Sequence, residues 1–343
     1  MFSRHPLLLQ TAFSELKRQA GEQPFLLVGT PGSVGTREVA GRRFLYRQFY
    51  DAEGKKAAQY LGSAEDAAVA ARASAVREQV LLTNALVKDA RLLTERGYVR
   101  TDSRVVAIAA ALANRALFRA GAVLVGSHAY GALLNELGVR AAAFTTEDVD
   151  IARGEPLELA LAEDDGFERM LAESTVPLSP VPSFDRKTPP TSYKAPGRDR
   201  LRVDLLVPAT GSEVTVKRVP ELRAHATALP YLRYLLGDAR DAVLLGREGV
   251  IPVRVPRPEA FAWHKMLISQ LRAGTSEKRA KDLLQAAVLF AVLAEDAPDA
   301  LEAAFAVVPR SAKAKTRSGA RLVLARLDKS GQERASELMK QLL

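Results

Sequence analysis

Hydrophobic residues recur at three- and four-residue intervals over residues 6–20, through Leu8, Leu9, Ala12, Phe13 and Leu16, which predicts a helix closed off by Pro24. Residues 25–28 read as a strand. Over residues 42–50 the period shortens to two and aromatic side chains dominate. Asp51-Ala52-Glu53-Gly54 then supplies a hairpin turn, and residues 55–61 return as the partner strand. The Ala-rich stretch 63–96 predicts two helices. Residues 103–120 predict another, whose stripe of Val105, Ile108, Leu112 and Leu117 faces the apolar run at Val123.

The chain is organised around residues 123–153. An apolar strand, Val123-Leu124-Val125, runs into Gly126-Ser127. A helical pattern follows through Tyr130, Leu133, Leu134 and Leu137, and Gly138 is placed to stop it. A second extended piece carries Asp148-Val149-Asp150-Ile151. Residues two apart in a strand share a face, so Asp148 and Asp150 project together while Val149 and Ile151 anchor the other side. Adjacent carboxylates repel unless a cation lies between them, and hard oxygen ligands with room for water suit Mg²⁺. A Gly-Ser turn at a helix N-terminus offers N–H groups and a hydroxyl to a phosphate.

Beyond Asp150 the pattern predicts an acidic helical segment at 164–173 and a Pro-, Ser- and Thr-rich surface excursion at 174–196, with room for short strands. Residues 201–207 read as a buried strand with one acid, Asp204. A carboxylate in such a strand needs a partner, because desolvating it alone is costly. That partner is Arg202 or another base, a hydrogen-bond network, or the cation of Asp148 and Asp150. A short helix at 229–236, strands at 242–245 and 251–255, and helices at 259–272 and 277–293 follow. Pro256 and Pro258 stand where helix-opening prolines belong. Residues 300–343 read as helical, with a break at Val308-Pro309-Arg310.

Composition narrows the reading. The chain has 343 residues, suggesting roughly two domains at ~150 residues each. No apolar run approaches the ~20 residues of a membrane span. Cysteine is absent, which excludes disulfides and thiolate zinc sites, and His5, His128, His225 and His264 show no metal-ligand spacing. A cytoplasmic location is expected. The net charge of +9, with Arg310, Lys313, Lys315, Arg317, Arg321 and Arg326 in one stretch, fits either a nucleic-acid partner or a solvated helix face. Alternating Arg43, Tyr46, Arg47 and Tyr50 could stack on and grip nucleic acid; cross-strand packing explains the tyrosines equally well. The loop Gly29 to Gly35 lacks the Gly-Lys-Ser/Thr ending of a P-loop and reads as a turn.

The strand, the Gly126-Ser127 turn, the helix and the Asp148-Val149-Asp150-Ile151 piece together resemble the polymerase-beta-like nucleotidyltransferase superfamily. GSHAYGALLNELGVR followed by TTEDVDIA is similar to a branch of bacterial nucleotidyltransferase-fold proteins, with AbiEii-type toxins as more distant cousins. The aromatic, basic hairpin before Tyr60-Leu61-Gly62 is also similar to family members. The resemblance implies an α+β fold whose core is a small mixed sheet with helices on one side. Residues 1–100 would hold the N-terminal helix, hairpin and helices, 101–255 the nucleotidyltransferase core, and 256–343 a C-terminal helical region.

The same resemblance implies a site. Asp148, Asp150 and Asp204 would be catalytic and would ligate two Mg²⁺ ions, the alternative for Asp204 being an ion pair with Arg202. Gly126 and Ser127 would bind the nucleotide phosphates. Lys265 resembles a helical lysine that reaches those phosphates, with a snorkelling surface lysine as its alternative. Lys281-Asp282 resembles a Lys-Asp pair of the toxin-like cousins. The second acid of that pattern falls on Gln285 or Ala286, so the motif is degraded and the pair is of second rank for nucleotide binding. The implied reaction moves a nucleoside monophosphate (NMP) from a nucleoside triphosphate (NTP) to an acceptor. RNA is expected, with a tRNA 3′ end by analogy, in a toxin or phage-defence effector. A protein hydroxyl (AMP or UMP transfer) and a catalytically idle binding module are the alternatives. No membrane partner is expected, and an antitoxin or protein partner stays open.

Overall fold

Val123, Leu124, Val149, Ile151, Val203 and Leu205 are each at most 2% exposed, and burying them assembles the central sheet. The computed structural model of the chain describes residues 1–143, 146–159, 165–183, 185, 187–272 and 276–343. Asp148–Arg153 lies in the middle, antiparallel to Ala122–Val125 on one side and parallel to Arg202–Pro208 on the other. Ser192–Lys194 pairs antiparallel with the first half of Arg202–Pro208, and Ala224–Leu229 pairs parallel with its second half. Thr215–Val219 closes that edge. The parallel pair requires a long crossover, and part of the Pro-rich stretch returns through it as Ser179–Pro180 and Ser192–Lys194. The fold is mixed α+β.

Several elements differ from the sequence reading. Residues 25–28 form no strand: the N–H and C=O of Leu26 are both taken by the Asn114 side-chain amide, at 2.8 Å each. The stretch 63–96 is one helix, Ala67–Glu95, because no Gly or Pro interrupts it; the Asp66 carboxylate caps it by accepting from Ala68 N–H. The 103–120 helix ends at Asn114, just before Ala116 turns left-handed at φ 58°. The acidic segment narrows to Phe167–Ala172; its start at Asp164 lies outside the described residues. Phe2–Arg4 pairs with Val139–Ala141, a contact between distant short segments that no local pattern announced.

The N-terminal sheet comprises Ser33–Val39, Arg42–Tyr50 and Lys56–Ser63. Its inner face packs on Val69, Ala73, Val76 and Val80 of the long helix through Leu45 and Leu61, and Phe49 on the same face is buried against Gly29 and Gly32. Arg47 points inward with them and is 2% exposed, so it is not available to grip a ligand. Its guanidinium donates to the carbonyls of Val28, Thr30 and Pro31 at 2.9, 2.7 and 3.0 Å. The Gly29 to Gly35 loop thus turns carbonyls toward a cation rather than N–H groups toward an anion, as a structural turn does.

A second core, built on Trp263, Met266, Phe290, Leu301 and Val323, joins the helices Pro258–Leu271, Ser276–Asp296, Pro298–Ala306 and Arg310–Lys329. Trp263 Nε1 donates to Leu301 O at 2.9 Å. Gly319 lets the basic helix Arg310–Lys329 cross directly over the Met266 backbone, where a Cβ would overlap the carbonyl. Among the described residues, no helix is long and apolar enough to cross a membrane.

Candidate functional site

Strand register brings the three acids onto one face. Asp204 sits beside Asp150 on the neighbouring parallel strand, and Arg202 sits beside Asp148. Ser192 and Lys194 extend the two rows across the next strand. Directly opposite Asp150 on its other side is Val125, the residue before Gly126. Gly126 has φ 71°, and a Cβ there would overlap the Asp150 carboxylate. Glycine is required at this position for both reasons. The helix Gly126–Glu136 starts here, so its first unpaired N–H groups open beside the acids.

The electrostatics are lopsided. Burial, then Asp204, holds the Asp150 carboxyl up at about 6, with Asp148 adding and Lys265 and Arg272 opposing. Asp148 is exposed. Asp204 is already engaged: Arg202 Nε donates to its Oδ1 at 2.7 Å, while the same guanidinium donates to Ser192 Oγ at 2.6 Å. The ion pair that the sequence offered as the alternative for Asp204 is therefore present.

The helical cations gather around one acid, Asp282: Lys265 is buried with it, Lys281 is half-buried and Arg272 is exposed. Lys265 is 6% exposed, not a snorkelling surface lysine, and its Nζ donates to Asp282 Oδ1 at 2.7 Å. Arg272 Nε lies 2.7 Å from the other oxygen of Asp282. Burial lowers the Lys281 pKa, with Lys265 adding to the effect, while Asp282 and Asp148 raise it. Lys265, Lys281 and Asp282 thus come together at the edge of the acid face. Gln285, where the family pattern calls for an acid, is fully buried.

Two residues escaped the sequence reading. Arg272 stands seven positions after Lys265, two turns along one helix face, a spacing that could have flagged it. His128 was seen only as one of four scattered histidines. Burial, with Lys281 adding, lowers its pKa to about 4 against the pull of Asp102. It lines a cavity of about 100 Å³ with Ser127, Thr101, Asp102 and Thr146. A larger cavity, about 480 Å³ between Phe25, Phe118, Val243 and Val253, shares no lining residue with the acid face.

The fit of a divalent cation rests on the donor set. Three hard carboxylates share a face, and burial first, then repulsion from Asp204 and Asp148, raises the Asp150 pKa. Such a set suits Mg²⁺ once Asp204 leaves Arg202, whose side chain is 45% exposed, so that water can solvate the guanidinium in place of the carboxylate. As the side chains stand, no group of His, Asp or Glu among the described residues closes into a ready metal cluster.

No curated protein and no solved structure matches the chain. The model of a family described as nucleotidyltransferase matches residues 103–308, which include the acid face, the Gly126 turn and the Lys265–Asp282 cluster. Over more than half its length, and through each element of this site, the chain belongs to the nucleotidyltransferase family.

Proposed function

We propose that the protein transfers a nucleoside monophosphate from an NTP to an RNA acceptor, with Asp148, Asp150 and Asp204 as the catalytic acids. The observation that carries this reading is the placement of Asp150 between Asp204 and the Gly126 helix start, with its carboxyl held up at about 6. Mg²⁺, when bound, neutralises triphosphate charge and makes the acceptor hydroxyl more acidic.

The chain's own groups then have distinct tasks. Asp148 and Asp150 hold the metal-binding edge of the site, and Gly126 and Ser127 seat the phosphates through backbone N–H groups and the hydroxyl. Asp204, turning from Arg202, assists removal of the acceptor proton. Lys265 and Lys281 supply positive charge toward the leaving pyrophosphate. Asp282 is a positioning residue, because its two oxygens hold Lys265 and Arg272 apart and in place. Preorganised charge of this kind carries most of the acceleration in phosphoryl chemistry. In this arrangement 101–255 provides the acids and 256–343 the cations.

The RNA acceptor is favoured by the net charge of +9 and by exposed Lys315 and Arg321 on the C-terminal basic helix. One observation favours a second reading, a binding module without chemistry: the Arg202–Asp204 pair occupies the third acid. Incubation with each α-labelled NTP, Mg²⁺, and either total RNA or protein lysate separates the cases. Label on RNA, abolished in Asp150→Asn, supports the proposal. Label on protein moves the acceptor to a protein hydroxyl, and no label under any NTP leaves the binding module.

A further inference from the structure

The three-stranded N-terminal sheet has one face packed on the long helix and one face open. Alternation sends Leu45, Arg47 and Phe49 inward and Phe44, Tyr46 and Tyr50 outward. Tyr46 pairs across the strands with Tyr60 on one side and with Gly35 on the other. Phe44, Tyr46 and Tyr60 form a continuous cluster: Tyr60 lies 5.3 Å from Tyr46 and 6.0 Å from Phe44, centroid to centroid. Tyr60 is 57% exposed and Tyr50 is 47% exposed. The Arg37 guanidinium lies 5.2 Å from the centre of the Tyr46 ring.

Charge on this face has one sign. Arg37 and Lys56 stand on the outward positions of the flanking strands, and among the described residues no carboxylate takes an alternate outward position of the three strands. Arg47, buried on the inward face, is engaged by loop carbonyls and takes no part. A sheet meant only to close on its helix has no need of solvent-facing aromatic rings. Gly35, opposite Tyr46, adds no side chain on that side, so the Arg37 guanidinium two residues on can lie over the Tyr46 ring.

We infer that this face is a docking platform for single-stranded nucleic acid. Unpaired bases present flat faces that stack on exposed rings, and a flanking guanidinium and ammonium meet the phosphates. A duplex hides its base faces and would engage only the cations. An acidic protein surface would satisfy the cations but leave the rings without flat partners. The inference deepens the nucleotidyl-transfer reading by seating the acceptor strand, and it rests on that reading only in calling the strand the acceptor.

The test uses the full chain carrying Asp150→Asn, without NTP, so that binding is read independently of chemistry. Fluorescence anisotropy is followed with a labelled single-stranded RNA of about a dozen nucleotides, the matching single-stranded DNA, and the duplex. Both single strands are expected to bind at least about tenfold more tightly than the duplex, and a preference between them tells whether the 2′-hydroxyl is read. Tyr60→Ala and Tyr46→Ala should each weaken single-strand binding roughly tenfold, the loss of one stacked base. Arg37→Gln should flatten the salt dependence by about 0.7 in the log–log slope. Circular dichroism and the unfolding midpoint check that these outward substitutions leave the fold intact.

Equal binding of strand and duplex, or wild-type affinity in both tyrosine variants with Arg37→Gln unchanged in slope, would overturn the platform and move the contact to the basic C-terminal helix. No binding of any nucleic acid would overturn it in favour of a protein partner. Label transfer to RNA that survives in Tyr46→Ala and Tyr60→Ala without loss of affinity sinks the platform and spares the enzyme. Binding without label transfer in the wild-type chain does the reverse.

Discussion

Arg47 in the N-terminal sheet and Asp150 in the central sheet are both ionisable groups carried by a strand, the first buried and the second half-buried, yet their surroundings differ in kind. Arg47 meets three loop carbonyls and stacks 4.2 Å from the Phe49 ring centre. Burial draws its pKa down to about 10, which still leaves it charged at neutral pH. Asp150 meets two more acids and a glycine backbone, and burial and Asp204 push its pKa up. A buried charge whose partners are all in place stabilises local structure. A buried charge whose neighbours repel it marks a place where a ligand completes the arrangement.

The largest effect expected from this contrast is on chemistry. Asp150→Asn should lower label transfer by roughly 10³-fold, the scale of removing a principal electrostatic group. The unfolding midpoint in the presence of a chelator should not drop. A variant that transfers normally, or one that fails to fold, would break the contrast at its functional end.

The structural end is broken by Arg47→Met. Three carbonyls lose their donor, and stability to urea should fall by about 3 kcal/mol. Transfer per folded molecule to a short acceptor should hold. A stability loss well under 1 kcal/mol would mean that water replaces the guanidinium, and the loop would then not depend on it.

Acidity separates the two further. Asp150 holds a proton in the fold up to about 6, while the unfolded chain releases it near 3.8. Stability from that proton is present below the unfolded value and is lost as pH rises through the folded one. In chelator, wild type should therefore lose about 2 kcal/mol relative to Asp150→Asn between pH 4 and pH 7, allowing for partial solvent access. His264 and His128, lowered by burial to about 3 and about 4, act oppositely in both chains, destabilising them as pH falls below 6.5. Comparing urea midpoints of the two chains at each pH cancels the histidines. Parallel curves would mean Asp150 is ionised throughout.

A smaller effect is expected at the turn beside Asp150. Gly126→Ala places a methyl group against the Asp150 carboxylate at a left-handed φ, costing about 1–2 kcal/mol. It should raise KM for the NTP more than it raises the denaturant sensitivity of the N-terminal sheet, as measured by initial rates and local fluorescence. An unchanged KM would remove the turn from the phosphate seat.

The sequence by itself determined the parts of this protein that depend on neighbours a few residues away. Asp148 and Asp150 had to share a face because strand period is a backbone property, and Gly126-Ser127 had to begin a helix because an apolar strand and an apolar helical stripe meet there. The membership that residues 103–308 establish was legible in the same thirty-odd positions. Tertiary structure decided the rest. It set Asp204 level with Asp150, turned Arg47 inward, gathered Lys265, Arg272 and Asp282, and paired Phe2–Arg4 with Val139–Ala141. Each of these depends on strand register or helix crossing between segments far apart in the chain. Such pairings are selected by which apolar faces bury together, and local periodicity carries no record of that choice.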